Sequence, residues 1–288
     1  MKTLQKIFLA RMAQRPILAA RTLMGKGPVL KTRRGGLSWR LDLREGIDFS
    51  IFLLGAFERD TVHWYRKQIR PGDTVLDIGA NIGAHTLPMA EAVGPSGRII
   101  AVEPTEYAFG KLTANLGLNN EIMTRVTPIQ AFLTDGSEKE LPTSIYSSWP
   151  LEKDEGLHAQ HHGRMQTTAG AKATTVNDLL AQLEVTAVNL VKLDVDGFEG
   201  QVLGGASLLF SKFRPIFVME LAPYHLAEHG TTLLTLLDIF KMADYEFRGL
   251  KDNKVIPMDE GYLRTKIPSG SGWNITARPI WRSTGAAV

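Results

Sequence analysis

The chain alternates short apolar runs with longer stretches in which apolar positions recur at helical spacing. Residues 75–78 form an apolar run around Asp77 and predict a buried strand. It ends at Gly79-Ala-Asn-Ile-Gly83, and a helical pattern begins at Ala84. A second run over 98–102 ends on Glu103 and predicts the next strand. Leu112, Leu116 and Leu118 give the following helix its apolar side, and Asn119-Asn120 closes it. Residues 126–133 predict a third strand with Pro128 near its start, because proline cannot donate to a central ladder. Residues 134–173 are polar and predict a loop. Thereafter come a helix over 175–183 capped by Thr174 or Thr175, a strand over 188–195, and a helix over 199–213. A fifth strand over 214–220, a helix over 231–243, a strand near 245–247 and a last strand at 273–277 complete the pattern. Ahead of the first central strand, residues 46–54 and 57–69 are two further apolar-rich segments, closed by the Pro71-Gly72 turn. Strands alternating with helices imply right-handed crossovers and a mainly parallel sheet. No internal repeat and no second domain is evident.

Charge divides the 288 residues unevenly. Residues 1–45 hold eleven Lys and Arg against Asp42 and Glu45, a net of +9, which leaves −6 for the remainder. We therefore divide the chain into a basic N-terminal arm, 1–45, and a main domain, 46–288. Within the arm Leu4, Ile7, Phe8 and Met12 recur at helical spacing until Pro16 interrupts them. A basic amphipathic segment of this kind suits peripheral contact with an anionic membrane through residues 1–34; packing on the main domain is the alternative. Arg11 and Arg15 break any signal-peptide h-region, and scarce serine counts against a transit peptide. The sequence has no cysteine, so thiol nucleophiles, disulfides and cysteine zinc sites are excluded. That composition suits a cytoplasmic compartment. Apolar content of 44% and charge of 22% are ordinary for a globular enzyme domain.

The glycine turn carries the chemistry. A glycine turn after a strand lets the backbone approach a ligand, because glycine has no Cβ and tolerates positive φ. Neither a Gly-x-Gly-x-x-Gly dinucleotide fingerprint nor a Gly-x-x-x-x-Gly-Lys-Ser/Thr phosphate loop is present. Instead Asp77 precedes the glycines and Glu103 ends the next strand, where a carboxylate can hydrogen-bond a ribose diol. Asp77 would repel a pyrophosphate and suit a cation, which points to S-adenosylmethionine. The expected cofactor contacts are Asp77, Gly79, Ala80, Asn81, Gly83, Glu103 and Pro104, with Gln130 and Ala131 at the adenine.

Val75-Leu-Asp-Ile-Gly-Ala-Asn-Ile-Gly83, Val102-Glu-Pro104, Thr175-Val-Asn-Asp-Leu-Leu180 and Val191-Lys-Leu-Asp-Val-Asp-Gly-Phe-Glu199 together resemble the FkbM-type methyltransferases over roughly residues 50–223. The first motif is shared by many methyltransferases; the last is more selective. The family's commonest form has Glu where this chain has Asp196, a shortening that keeps the charge. The resemblance implies an α/β Rossmann-like class I methyltransferase fold. Its seven-stranded, mostly parallel sheet has the last strand antiparallel and helices on both faces. It also implies S-adenosylmethionine-dependent O-methylation of a hydroxyl on a sugar, glycan or secondary metabolite.

An alcohol is a poor nucleophile, so a base or a metal is expected beside it. Asp194, Asp196 and Glu199 cluster at the carboxyl end of the fourth strand, where open sheets bind ligands. Asp194 is the first choice for base, with Asp196 and Glu220 as further catalytic carboxylates. Lys192, on the same strand side as Asp194, is expected to position cofactor or acceptor. Glu199 reads as a first-turn helix acid rather than a catalyst. Asp194 and Glu220 could hold Mg2+, but two carboxylates are not a cage and the reading does not favour it. His158, His161 and His162 read as loop residues or part of a substrate lid rather than a zinc site, and His85, which opens the helix after the glycine turn, as helix packing with approach to the acceptor as the alternative. Two alternatives stay open. A nucleic-acid (RNA) methyltransferase is suggested by pI ≈ 9.0 but disfavoured by the acidic sheet region and the lack of an Asn-Pro-Pro-Tyr motif. A non-catalytic S-adenosylmethionine-binding protein is the other. No oligomeric state follows from the sequence.

Overall fold

The computed structural model describes residues 3–137, 140–151, 156–158 and 163–280. Helix α1 (Thr3–Leu23) leads into the hairpin β1 (Val29–Arg34) and β2 (Leu37–Asp42), then α2 (Gly46–Leu54) and α3 (Arg59–Gln68). Next come β3 (Thr74–Ile78), α4 (Thr86–Ala92), β4 (Arg98–Val102), α5 (Glu106–Leu116), the single turn α6 (Asn120–Met123) and β5 (Val126–Ile129). Four short strands follow: β6 (Ala131–Leu133), β7 (Ser144–Ser147), β8 (Arg164–Thr167) and β9 (Lys172–Thr174). Then come α7 (Val176–Gln182), β10 (Leu190–Leu193), α8 (Glu199–Gly204), a π-helical turn (Leu209–Phe213) and β11 (Ile216–Leu221). The last elements are α9 (Pro223–Glu228), α10 (Leu233–Met242), β12 (Tyr245–Gly249), β13 (Val255–Ile256), α11 (Glu260–Lys266) and β14 (Trp273–Pro279).

The central sheet runs β13-β12-β14-β11-β10-β3-β4-β5. Strands β5, β4, β3, β10 and β11 are mutually parallel, and β14 is antiparallel to both its neighbours. The expected fold is therefore present, with eight strands rather than seven. The extra one is β13, two residues folded back on Phe247 and Arg248, too short to leave a periodic trace. Chain order reverses at β3: β4 and β5 go to one side, β10 and β11 to the other. That reversal opens a crevice at the carboxyl ends of β3, β4 and β10.

Strand alternation sorts the core onto two faces. Leu76, Ile78, Val191 and Leu193 pack with Phe217, Leu236 and Phe240. Val75, Ile99 and Ala101 pack on the opposite face with Tyr65, Leu87 and Leu112. Trp39 and Leu41 of β2 join that second core, so the hairpin is built into the main body.

Several local expectations are corrected. The run 126–133 is two strands: β5 ends at Ile129, and β6 leaves the sheet to pair with β9. Pro128 is tolerated because β5 is an edge strand, where a missing N–H costs no ladder bond. The predicted loop 134–173 contains a β7–β8 hairpin. Polar side chains hide it, since its positions are at most half-buried except Ser147. The first-turn helix starts at Thr86, two residues late, because Gly83 adopts φ +88°. The expected helix 199–213 is broken near Gly205 and resumes as the π-helical turn. Pro16 does not interrupt the arm: α1 runs 21 residues through it. Pro16 and Met12 are both exposed, so water can serve the carbonyl that proline leaves unpaired.

Candidate active site

The β3–α4 turn is shaped by positive φ at Gly79 (+81°), Asn81 (+48°) and Gly83 (+88°). The glycines are needed for internal reasons beyond the open approach that the sequence suggests. A Cβ on Gly79 would stand 1.8 Å from the Asp194 carbonyl oxygen of the neighbouring strand; one on Gly83 would meet Leu87 and Leu112 at 2.6 and 2.8 Å. The amides of Gly79 and Ala80 both donate to Val102 O at 3.0 Å, which binds the turn to the end of β4. Glu103 then receives Asn81 N–H at 2.9 Å on Oε2, and Thr105 N–H (2.9 Å) and Oγ1 (2.5 Å) on Oε1. A carboxylate has about four acceptor positions, so this anchoring leaves room for a diol. Burial raises the Glu103 pKa, opposed by the hydrogen bonds of Thr105 and Asn81.

The end of β10 supplies the second half. Lys192 is buried; its Nζ donates to Gly79 O at 3.0 Å and lies 3.2 Å from Asp194 Oδ2. It also stands 4.0 Å from Asp77 Oδ1, its register partner across β3. Burial disfavours the ammonium, but Asp194 and then Asp77 outweigh it and hold Lys192 firmly charged. For Asp194 burial works upward and Lys192 outweighs it, so this carboxylate titrates below its ordinary range. Asp196 sits at φ +50°, and burial followed by repulsion from Asp194 and Glu199 pushes it well up. Burial and then Asp194 raise Glu220 likewise. Glu199 accepts Val195 N–H at 3.3 Å and is pushed up to about 7 by burial, as befits a structural acid under the loop.

These groups face one open cavity of about 1040 Å³. Gly79, Ala80, Asn81, Glu103, Pro104, Ala131, Lys192, Asp194, Asp196 and Glu220 line it. Asp77, Gly83 and Gln130 do not. Asp77 is fully buried behind the turn and accepts Thr86 Oγ1–H at 2.6 Å, so its charge acts through Lys192. The Gln130 amide donates to Ala169 O at 2.8 Å and to Pro104 O at 3.5 Å, beside the lining rather than in it.

Sequence reasoning missed Glu58 and preferred packing over an approach to the acceptor for His85. His85 is 4% exposed and lines the cavity, its ring edge against Phe57 and Tyr65. Its Nε2 lies 3.6 Å from Glu58 Oε2, and neither ring nitrogen makes a hydrogen bond. Burial and then Lys192 lower its pKa to about 3, so the imidazole is neutral. Burial raises Glu58, aided by Asp194. The only sequence trace of Glu58 is an acid at the start of the apolar-rich segment 57–69, and Trp149, His225 and Asn274 reach the cavity from three further places in the chain. His158 packs on Tyr146 and stands 3.4 Å from Glu228; His161 and His162 lie outside the described residues. Among the described residues no three His, Asp or Glu converge as a metal site.

The donor set fits S-adenosylmethionine. It offers a diol-binding carboxylate beside a glycine turn, and a group of acids whose mutual repulsion a sulfonium and ammonium would relieve. Strand order and site together define the Rossmann-like class I methyltransferase architecture. The sequence pattern of the Methyltransferase FkbM domain matches residues 77–247, and the chain belongs to that family. Among its relatives is the 31-O-demethyl-FK506 methyltransferase FkbM of Streptomyces tacrolimicus, 28% identical over 164 residues, which are 48% of this chain and 61% of that protein. Another is the hexuronic acid methyltransferase AglP of Haloferax volcanii, 27% identical over 168 residues, 58% of this chain and 59% of that one. The chain thus spans about three-fifths of the length of these two relatives. A solved structure of the methyltransferase FkbM from Methylobacillus flagellatus aligns with a TM-score of 0.45 at 17% identity, covering 77% of this chain and 48% of that one.

Proposed function

We propose that this protein is an S-adenosylmethionine-dependent O-methyltransferase acting on a hydroxyl of a sugar, glycan or secondary metabolite. The observation that carries the reading is the convergence of Glu103, the glycine turn and the Lys192–Asp194 pair on one cavity. The names of two relatives, one for FK506 and one for hexuronic acid, support a polyhydroxylated acceptor. When bound, the cofactor supplies an electrophilic methyl on a good leaving group. Glu103 holds the ribose, Lys192 fixes Asp194 against the turn, and Asp194 orients the acceptor hydroxyl. Asp194 would take up the proton of that hydroxyl as its oxygen is methylated. The neutral His85 beside Glu58 is the second group able to accept that proton. The same reading puts the protein in the cytoplasm, with residues 1–34 touching a membrane. Among the described residues no helix is long and apolar enough to cross one.

Calorimetry tests the cofactor half. Wild type binds S-adenosylmethionine and S-adenosylhomocysteine without acceptor, and Glu103→Ala weakens both by about 1.5–3 kcal/mol, the loss of charge-assisted hydrogen bonds. Because Asn81 and Thr105 also lean on Glu103, near-native circular dichroism is required of the variant. Wild-type affinity in a folded Glu103→Ala protein removes Glu103 from the site.

A further inference from the structure

Helix α1 is apolar on two sides. Ala10, Ala13, Ile17 and Leu18 pack on Leu43, Phe49 and Leu151. The opposite side leaves Phe8 61%, Met12 59% and Leu23 89% exposed, at spacings that put them on one stripe. A helix resting on a water-soluble body hides its apolar stripe and turns a polar face outward. This one turns a second apolar stripe outward. Exposed Arg15 lies on that stripe and exposed Lys26 just beyond its end, on the part of the chain that carries +9 against −6 elsewhere.

The stripe adjoins the mouth of the cavity. Leu9 (53% exposed) lines the cavity together with Leu53 and Leu54 at the end of α2 (50% and 52%). The entrance to a site whose depth is acidic thus has a leucine side next to α1, while exposed Arg59, Asp60, Lys251 and Asp252 form the rest of its rim. A water-soluble sugar gains nothing from the leucine side of this rim. An amphiphile with its hydroxylated head in the cavity and its tail on the leucines gains from both.

We infer that an anionic bilayer surface covers the outer stripe of α1, and that the acceptor hydroxyl enters from this surface on the headgroup of a membrane amphiphile. The inference rests on the methyltransferase reading. Charge complementarity selects the occupant: acyl chains receive Phe8, Met12 and Leu23, while lipid phosphates face Arg15 and Lys26. The helix then lies in the interfacial plane.

The full chain is sedimented with vesicles of equal parts phosphatidylcholine and phosphatidylglycerol, beside a Phe8→Ser/Met12→Ser/Leu23→Ser variant whose changes lie on the exposed stripe and outside the cavity lining. Wild type partitions to these vesicles and not to pure phosphatidylcholine. The variant loses at least tenfold in partitioning while keeping its S-adenosylmethionine affinity by calorimetry. With labelled S-adenosylmethionine and a cell extract, label appears in the organic-solvent phase. Equal sedimentation of the two proteins, or none by wild type, overturns the surface. A wild-type dimer by light scattering that the variant reduces to monomer assigns the stripe to a second copy instead. Label confined to water-soluble products overturns the amphiphilic acceptor. Absence of cofactor binding in wild type defeats the methyltransferase reading and leaves the vesicle result standing.

Discussion

At the scale of single residues, the ion pair at the end of β10 decides the chemistry. Lys192 depresses Asp194, so Asp194 is ionised at neutral pH and poised to accept a proton only as the methyl transfers. Asp194→Asn keeps shape and should keep fold and cofactor affinity, yet lower turnover by roughly 10²–10⁴-fold, the usual contribution of a positioned acid–base group. Adding a chelator to wild type separates base from metal ligand: activity lost and restored by magnesium marks a ligand, indifference a base. Near-normal turnover in the variant moves the proton to His85 and Glu58. A different acid, Glu199, contributes to the pH dependence of stability. Burial raises Glu199 from 4.5 to about 7, so between these values the folded chain binds more proton than the unfolded one. Stability therefore declines as pH rises through that window, on the order of 1–3 kcal/mol from this group. Glu199→Gln keeps an acceptor for Val195 N–H and should flatten the decline, making the variant more stable than wild type at pH 8. Urea melts of both proteins at pH 5 and 8 that show parallel slopes with pH would remove Glu199 as the cause.

At the scale of elements, close contact between β3 and β10 fixes the site. Gly79 has both a positive φ and an Asp194 carbonyl where a Cβ would go, so Gly79→Ala must push the end of β3 away from β10, which holds Lys192. A loss of several kcal/mol is expected, since a left-handed residue alone costs about 1–2, with cofactor binding abolished. Denaturant titration and calorimetry read both, and a native-like melt would mean the turn relaxes around the methyl. Strongly periodic elements were legible in the sequence: the central strands, the helix after Glu103, and α7 with Thr175 as cap, whose Oγ1 accepts Asp178 N–H at 3.0 Å. The β6–β9 and β7–β8 pairs were not, because each strand is three or four residues long. Periodicity needs more residues than that to show.

For the molecule as a whole, the charge division was visible but its geometry was not. The basic stretch reads as an arm, yet Trp39 and Leu41 of its hairpin sit in the main core and α1 packs on Phe49. Deleting residues 1–34 would therefore remove β1 and uncover the core beside it. Substitution on the outer stripe is the informative experiment.

By itself the sequence determined the parallel α/β sheet, the glycine turn, Glu103 and the carboxylate cluster after β10. Each is local: a strand's apolar run and the acid or glycine at its end are neighbours in the chain. Tertiary structure alone decided that Asp77 acts from behind through Lys192. It also decided that Gln130 stands beside the cavity lining, and that His85 meets Glu58, 27 positions earlier in the chain, inside the cavity. Those pairings are set by how helices pack across a sheet, and no spacing along one chain encodes which distant side chains share a cavity.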